Sequence, residues 1–184
     1  MQITVDGFVA SPEGQLDWMT RDQDKELKKF TVDLTDTCDT ILLGRKMTEG
    51  FTTYWEDVLK NQPNHPDFYL ADKMVSYHKV AFSKTLKSVT GKNTVVENGD
   101  LATAVNKLKD QPGKDIVVYG GAGFVSSLIK ARLIDEFYLF VNPCAISKGM
   151  TIFGTLESKQ KFTLVKSTPY TCGVIVQYYK PNND

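Results

Sequence analysis

The stretch VVYGGAGFVSSLI, residues 117–129, decides the fold. It completes DIVVYG (115–120), a β-branched run too short for a helix. Val125, Leu128 and Ile129 then fall on one helical stripe. Between the two lie Gly120, Gly121 and Gly123. A strand-to-helix corner this rich in glycine either turns tightly or is approached closely, and a residue without Cβ serves both needs. In a parallel α/β sheet, ligands bind outside the carboxyl ends of the strands. A helix N-terminus there presents unpaired N–H groups and the positive end of a dipole. The corner therefore reads as a pyrophosphate seat or as a tight turn without ligand. It is not the G-x-G-x-x-G pattern, because residue 126 is Ser, and no acidic residue follows at the usual separation.

Working outward, the same alternation repeats. DTILLG (39–44), KVAFS (79–83) and TVVE (94–97) read as short strands. Residues 24–37 place Leu27, Phe30 and Leu34 on one helical stripe. Asp100 is an N-cap for a helix carrying Leu101, Ala104, Val105 and Leu108, which Pro112-Gly113 ends. Residues 58–70 read as a polar loop and 71–77 as a short helix. The last third changes character. EFYLFVN (136–142) is a strand with no clear helix after it, and KFTLVKST (161–168) and VIVQYYK (174–180) alternate around a turn at 169–173. The expected architecture is α/β in one domain, 1–184. A central, mostly parallel sheet is flanked by helices, with a C-terminal antiparallel hairpin on its edge.

Lys plus Arg equals Asp plus Glu at 22 each, so no basic surface points to nucleic acid. Cys38, Cys144 and Cys172 are scattered, and His65 and His78 lack metal-ligand spacing. No H-x-E occurs with C-x-x-C, so no metal is expected and zinc deaminase chemistry is disfavoured. The opening residues have neither a basic region nor a long apolar one, and no apolar run reaches membrane-spanning length. The chain reads as cytoplasmic, without a membrane partner. Lys25, Lys28 and Lys29, interleaved with acids, read as a solvated helix face.

Two further corners resemble the first. In ILLGRKMTEGF (41–51) a buried strand ends at Gly44 and a helix is expected near Met47 or Thr48. Arg45 and Lys46 suit a phosphate, Arg bidentately and Lys as a point charge. The alternative is a surface pair at a helix start, where the dipole disfavours cations. In AFSKTL (81–86), Ser83, Lys84 and Thr85 bring hydroxyls and a cation to a strand end. Together the corners suit a ligand with several phosphates, such as NADPH. The opening segment VDGFVASPEGQLDWM (5–19) carries Asp6-Gly7, a Ser11–Gly14 turn and Asp17-Trp18. It could close over a flat ring and exclude water, or be a surface loop pinned by Trp18.

These residues resemble the dihydrofolate reductase-like superfamily. The likeness is strongest to stand-alone proteins similar to the reductase domain of riboflavin-biosynthesis enzymes, the RibD C-terminal type. It runs through DGFVA (6–10), DTILLGRKMTEGF (39–51), YWED (54–57), FSKTL (82–86), DIVVYGGAGFVSSL (115–128) and LIDEFYLFVNPCAISKGMTIF (133–153). The resemblance implies NADPH as hydride donor. It implies that Gly44, Arg45, Lys46 and Thr48 hold the adenosine-side phosphates, and that Ser83 and Lys84 meet the 2′-phosphate and adenine. Gly120, Gly121, Ala122, Gly123 and Phe124 would seat the pyrophosphate, and Val9 and Ala10 would touch the nicotinamide.

The chain departs from the pattern in three places. It starts inside the expected first strand, as if truncated, and it lacks the deaminase half of the bifunctional enzymes. The first-helix carboxylate that binds pterin falls at Glu26, after a loop of different length. Asp24, Asp33 and Asp36 are expected to be exposed. The expected function is NADPH-dependent reduction of a pyrimidine- or pterin-like small molecule, with Trp18 binding substrate. Asp6 is the first candidate proton donor, followed by Asp17 and Glu26, although Asp6 equally suits an Asx-type turn with Gly7. The alternative is a non-catalytic nucleotide-binding module. The last strands, with Tyr178 and Tyr179, are expected to bury a homodimer surface.

Overall fold

The computed structural model describes residues 1–182. In chain order the elements are β1 (Gln2–Thr4), α1 (Lys25–Asp36), β2 (Cys38–Gly44), α2 (Arg45–Asn61), α3 (Phe68–Ser76), β3 (His78–Phe82) and β4 (Thr94–Glu97). They continue with α4 (Leu101–Lys109), β5 (Asp115–Gly120), α5 (Ala122–Lys130), β6 (Phe137–Asn142), β7 (Phe162–Pro169) and β8 (Ile175–Pro181). The chain divides into two compact units: residues 29–121, and residues 1–28 together with the chain from 122 onward.

Residues 29–121 carry a four-stranded sheet in the order β4-β3-β2-β5, parallel throughout. β2 is central, and its unbroken apolar run reflects burial on both faces, with Ile41 and Leu43 fully inaccessible. α2 and α3 supply the facing core through Phe51, Trp55, Val58, Leu70 and Met74. α2 begins at Arg45, directly after β2, rather than near Met47. It also runs past residue 58, so the expected polar loop 58–70 shrinks to 62–67. The reason is packing: Phe51, Trp55 and Val58 form one buried stripe, and Val58 carries the helix past its polar composition. Asp100 caps α4 as expected, its carboxylate accepting Thr103 N at 2.9 Å.

Lys79 is almost fully buried in β3. Its ammonium donates to Met74 O (3.0 Å), Val75 O (2.9 Å) and Tyr77 O (2.9 Å). It thus satisfies carbonyls that the end of α3 leaves without intrahelical partners.

The other unit holds a sheet in the order β1-β6-β8-β7. β1 pairs parallel with β6, while β6–β8 and β7–β8 are antiparallel, giving the expected hairpin, though in this second sheet rather than on the edge of the parallel one. Val125, Leu128 and Ile129 of α5 are each 2% exposed, as the stripe required. Asp24 is not the exposed helix acid expected. It accepts Leu27 N at 2.8 Å as the cap of α1, and it also accepts Thr171 Oγ1 (2.9 Å) and Cys172 N (3.2 Å). Asp33 and Asp36 are exposed, as expected, and pair with Lys29 and Lys73. No described helix is long and apolar enough to cross a membrane.

Candidate functional site

The register of the parallel sheet brings its strand ends side by side. Gly44 lies opposite Phe82, Leu43 opposite Gly120, and Phe82 opposite Glu97. Arg45 and Lys46 are exposed and are the first two residues of α2. Gly44 provides no side-chain cap there, and no acid stands in the first turn. Two cations at the positive end of a helix without a compensating acid are unfavourable in the free protein and suited to an anion. Arg45, Lys46 and Lys84 form no ion pair among the described residues. Thr48 does not face this open edge. It is 1% exposed, and its hydroxyl donates to Gly44 O at 3.2 Å, bracing the first turn from within.

At the third corner Gly120 has φ +146°, and a Cβ there would meet Met47 Sδ at 3.0 Å. The Gly120–Gly121 peptide is cis. A Cβ on Gly121 or on Gly123 would meet nothing within 4 Å. Gly123 lies in the first turn of α5, where glycine costs about 1 kcal/mol against alanine. No internal neighbour requires it. Ala122 and Phe124, beside it at the start of α5, are half-buried.

Ser83 is 8% exposed. Its Oγ accepts Thr85 N (3.1 Å) and Leu86 N (2.9 Å), and its own N–H donates to Glu97 O at 3.0 Å. Lys84 follows, exposed. Asn98, just past β4, donates through Nδ2 to Ser83 O and to Leu86 O (2.9 Å). Sequence reading missed Asn98: within VENGD it signals a turn, and nothing local names its distant acceptors.

In the other unit, Asp6 follows β1 and is exposed. One carboxylate oxygen accepts Thr4 Oγ1 (2.5 Å); the other accepts Ile146 N (3.0 Å) and Ser147 N (2.8 Å). The Thr4 hydroxyl, then these backbone N–H groups, hold its carboxyl below the usual carboxylate range. So held, Asp6 is ionised near neutrality and latches the 146–147 loop, a poor state for a proton donor. Neither Thr4 nor this loop is the Asx-type turn with Gly7 that the sequence also allowed. Asp17 and Glu26 are both exposed, and Glu26 sits in the first turn of α1, where the dipole suits it.

Val9 and Ala10 are each 7% exposed. Val9 N donates to Met150 O, and Met150 N donates to Ala10 O, both at 2.8 Å. A Cβ on Gly149 would lie 2.2 Å from Ala10 O, so only glycine permits this bridge. Trp18 is more buried than the loop reading expected, at 9% exposure. Its indole N–H and the Oε1 of Gln23 are buried and have no hydrogen-bond partner among the described residues. Each such group costs about 1–3 kcal/mol while unpaired.

Among the described residues no group of His, Cys, Asp and Glu could hold a metal ion. The comparisons with known proteins agree with the fold. The RibD C-terminal domain family matches residues 1–176. YyaP, an uncharacterised protein of Bacillus subtilis, is 31% identical over 182 residues, spanning 99% of this chain and 93% of its own. YwjB of the same organism is 24% identical, over 97% and 94% of the two chains. Among solved structures, a candidate riboflavin biosynthesis protein from Shewanella sp. PV-4 aligns with a TM-score of 0.74 at 20% identity, over 100% of this chain and 97% of its own. Enterococcus faecalis dihydrofolate reductase complexed with NADP(H) aligns at 0.62 and 18%, over 99% and 94%. A Thermotoga maritima deaminase/5-amino-6-(5-phosphoribosylamino)uracil reductase aligns at 0.64 and 14%, over 98% of this chain but 55% of that one. The match over nearly the whole sequence, on a dihydrofolate reductase-like fold, places this chain in the RibD C-terminal domain family.

Proposed function

We propose that this chain is an NADPH-dependent reductase of a small pyrimidine- or pterin-like molecule. One observation carries the reading. The parallel sheet ends in exposed cations, Arg45, Lys46 and Lys84, that form no ion pair among the described residues, and in backbone at Gly121 that no internal neighbour requires to be bare. That is the donor set for phosphate groups: Arg45 bidentate, the lysines as point charges, and N–H groups at the start of α2. Ser83 Oγ, already accepting two N–H groups, keeps its own proton for a phosphate oxygen. Hydride is what NADPH supplies when bound, and the chain's own contribution is binding and orientation.

With Asp6 given to the 146–147 loop, Asp17 and Glu26 are the acids assigned to proton delivery. Trp18, whose indole N–H has no partner among the described residues, is assigned to substrate.

Thermal stability with NADPH, NADP⁺ and NADH titrated separately tests this. A ligand of the native state adds about 2.7 kcal/mol at a hundredfold excess over its Kd. NADPH is expected to raise Tm progressively, and Arg45→Ala to shrink that rise. No rise at millimolar dinucleotide overturns the reading. A rise with no turnover on any pyrimidine or pterin leaves a nucleotide-binding module.

A further inference from the structure

We infer that Asn98 is a positioning residue that sets the preference for a 2′-phosphorylated dinucleotide over an unphosphorylated one. The inference rests on the reductase reading. Its basis is the construction of the Ser83–Leu86 turn. A carboxamide NH₂ has two hydrogens, and Asn98 spends both on this turn, one on Ser83 O and one on Leu86 O. Those carbonyls bracket Lys84 and Thr85. Two acceptors also fix which way the amide points, since the reversed amide would set oxygen against oxygen.

From the other side, Ser83 Oγ draws in the N–H groups of Thr85 and Leu86, and Ser83 N continues the β3–β4 pairing onto Glu97 O. Each of these bonds occupies a main-chain polar group of the turn or of the strand end before it. What the turn presents outward is the Lys84 side chain, exposed and, among the described residues, without an ion pair. Asn98 touches no phosphate in this scheme. It keeps two carbonyl oxygens from facing the place where an anion would sit, and it holds Lys84 at the tip. Groups that bind by geometry need such outer support. Loss of Asn98 frees two partial negative charges beside the cation and widens the turn, so a doubly charged phosphate suffers more than a ribose hydroxyl.

The test is the Kd of NADPH and of NADH, by calorimetry, for wild type, Asn98→Ala, Lys84→Ala and the double variant. Asn98→Ser, which keeps one donor, is measured beside them. Asn98 is exposed, so the fold survives its truncation. The ratio of NADH to NADPH Kd is expected to fall about five- to tenfold in Asn98→Ala, with NADH binding nearly unchanged. Asn98→Ser falls between. In the Lys84→Ala background the Asn98 substitution is expected to change the ratio no further, because its effect acts through that turn. An unchanged ratio in Asn98→Ala, or an equal loss for both dinucleotides, overturns the inference alone. A wild-type chain that binds neither dinucleotide overturns the reductase reading beneath it.

Discussion

Lys79 and Lys84 belong to the two ends of β3, and their surroundings are opposite. Lys79 is buried, and three carbonyl oxygens meet its three protons. Lys84 lies just past the strand's carboxyl end, exposed and outside any described ion pair. The acids of the other unit follow Lys79: Asp6 and Asp24 each accept several donors and tie distant segments together. A saturated charge holds structure. An unsaturated one at a strand's carboxyl end is open to a ligand, so partner accounting separates scaffold from site where residue type does not.

The largest effect is expected at the saturated end. Lys79→Met strands the carbonyls at the end of α3 and is expected to cost about 3 kcal/mol, a fall of roughly 6–12 °C in Tm. Calorimetric unfolding checks it. Burial also lowers the Lys79 ammonium from 10.5 to about 8. The unfolded chain then binds that proton more tightly, so stability rises with pH from about 8 to 10.5. The variant is expected to lose that rise. A variant as stable as wild type would break the contrast between the two lysines.

Gly123→Ala sharpens the contrast from the ligand side. Nothing lies within 4 Å of the added Cβ, and alanine is the better helix former, so stability is expected to rise by up to about 1 kcal/mol. On the proposed reading NADPH affinity is expected to fall at least about tenfold, because that reading seats the cofactor's diphosphate against the position of the new methyl. Unchanged affinity would make the glycine corner a turn and nothing more.

The smallest effect is expected at Asp6. Its folded pKa lies below the unfolded one, so its stabilisation is present above the ordinary carboxylate range and disappears as pH falls through the folded value. Asp6→Asn is expected to flatten that acid limb and to speed amide exchange at Ile146 and Ser147 without abolishing turnover. Loss of turnover with an intact loop would return Asp6 to the chemistry.

Much of this molecule was legible in order of sequence. Short β-branched runs ending at glycine gave β2 and β5, Asp100 capped its helix as written, and the glycine corner and the Arg45-Lys46 pair fell at strand ends. The misses have physical causes. α2 starts at Arg45, two residues before the expected Met47, although cations at a helix N-terminus are disfavoured locally and no side-chain cap marks the boundary. Residues 58–61 looked like loop by polarity, but Val58 is held by the core. Thr48 faces inward because the first turn of α2 is packed on that side, which a hydroxyl side chain does not reveal.

The sequence by itself determined the kinds of element, their alternation, and the resemblance that names the family. These rest on periodicity and on local backbone chemistry, which act over a few residues. Only the tertiary structure decided which charges are spent. Asp6 finds donors at 146 and 147, Asp24 at 171 and 172, and Asn98 reaches back to Ser83 and Leu86. A hydrogen-bond partner is fixed by a distance near 3 Å in space, and separation along the chain carries no record of it.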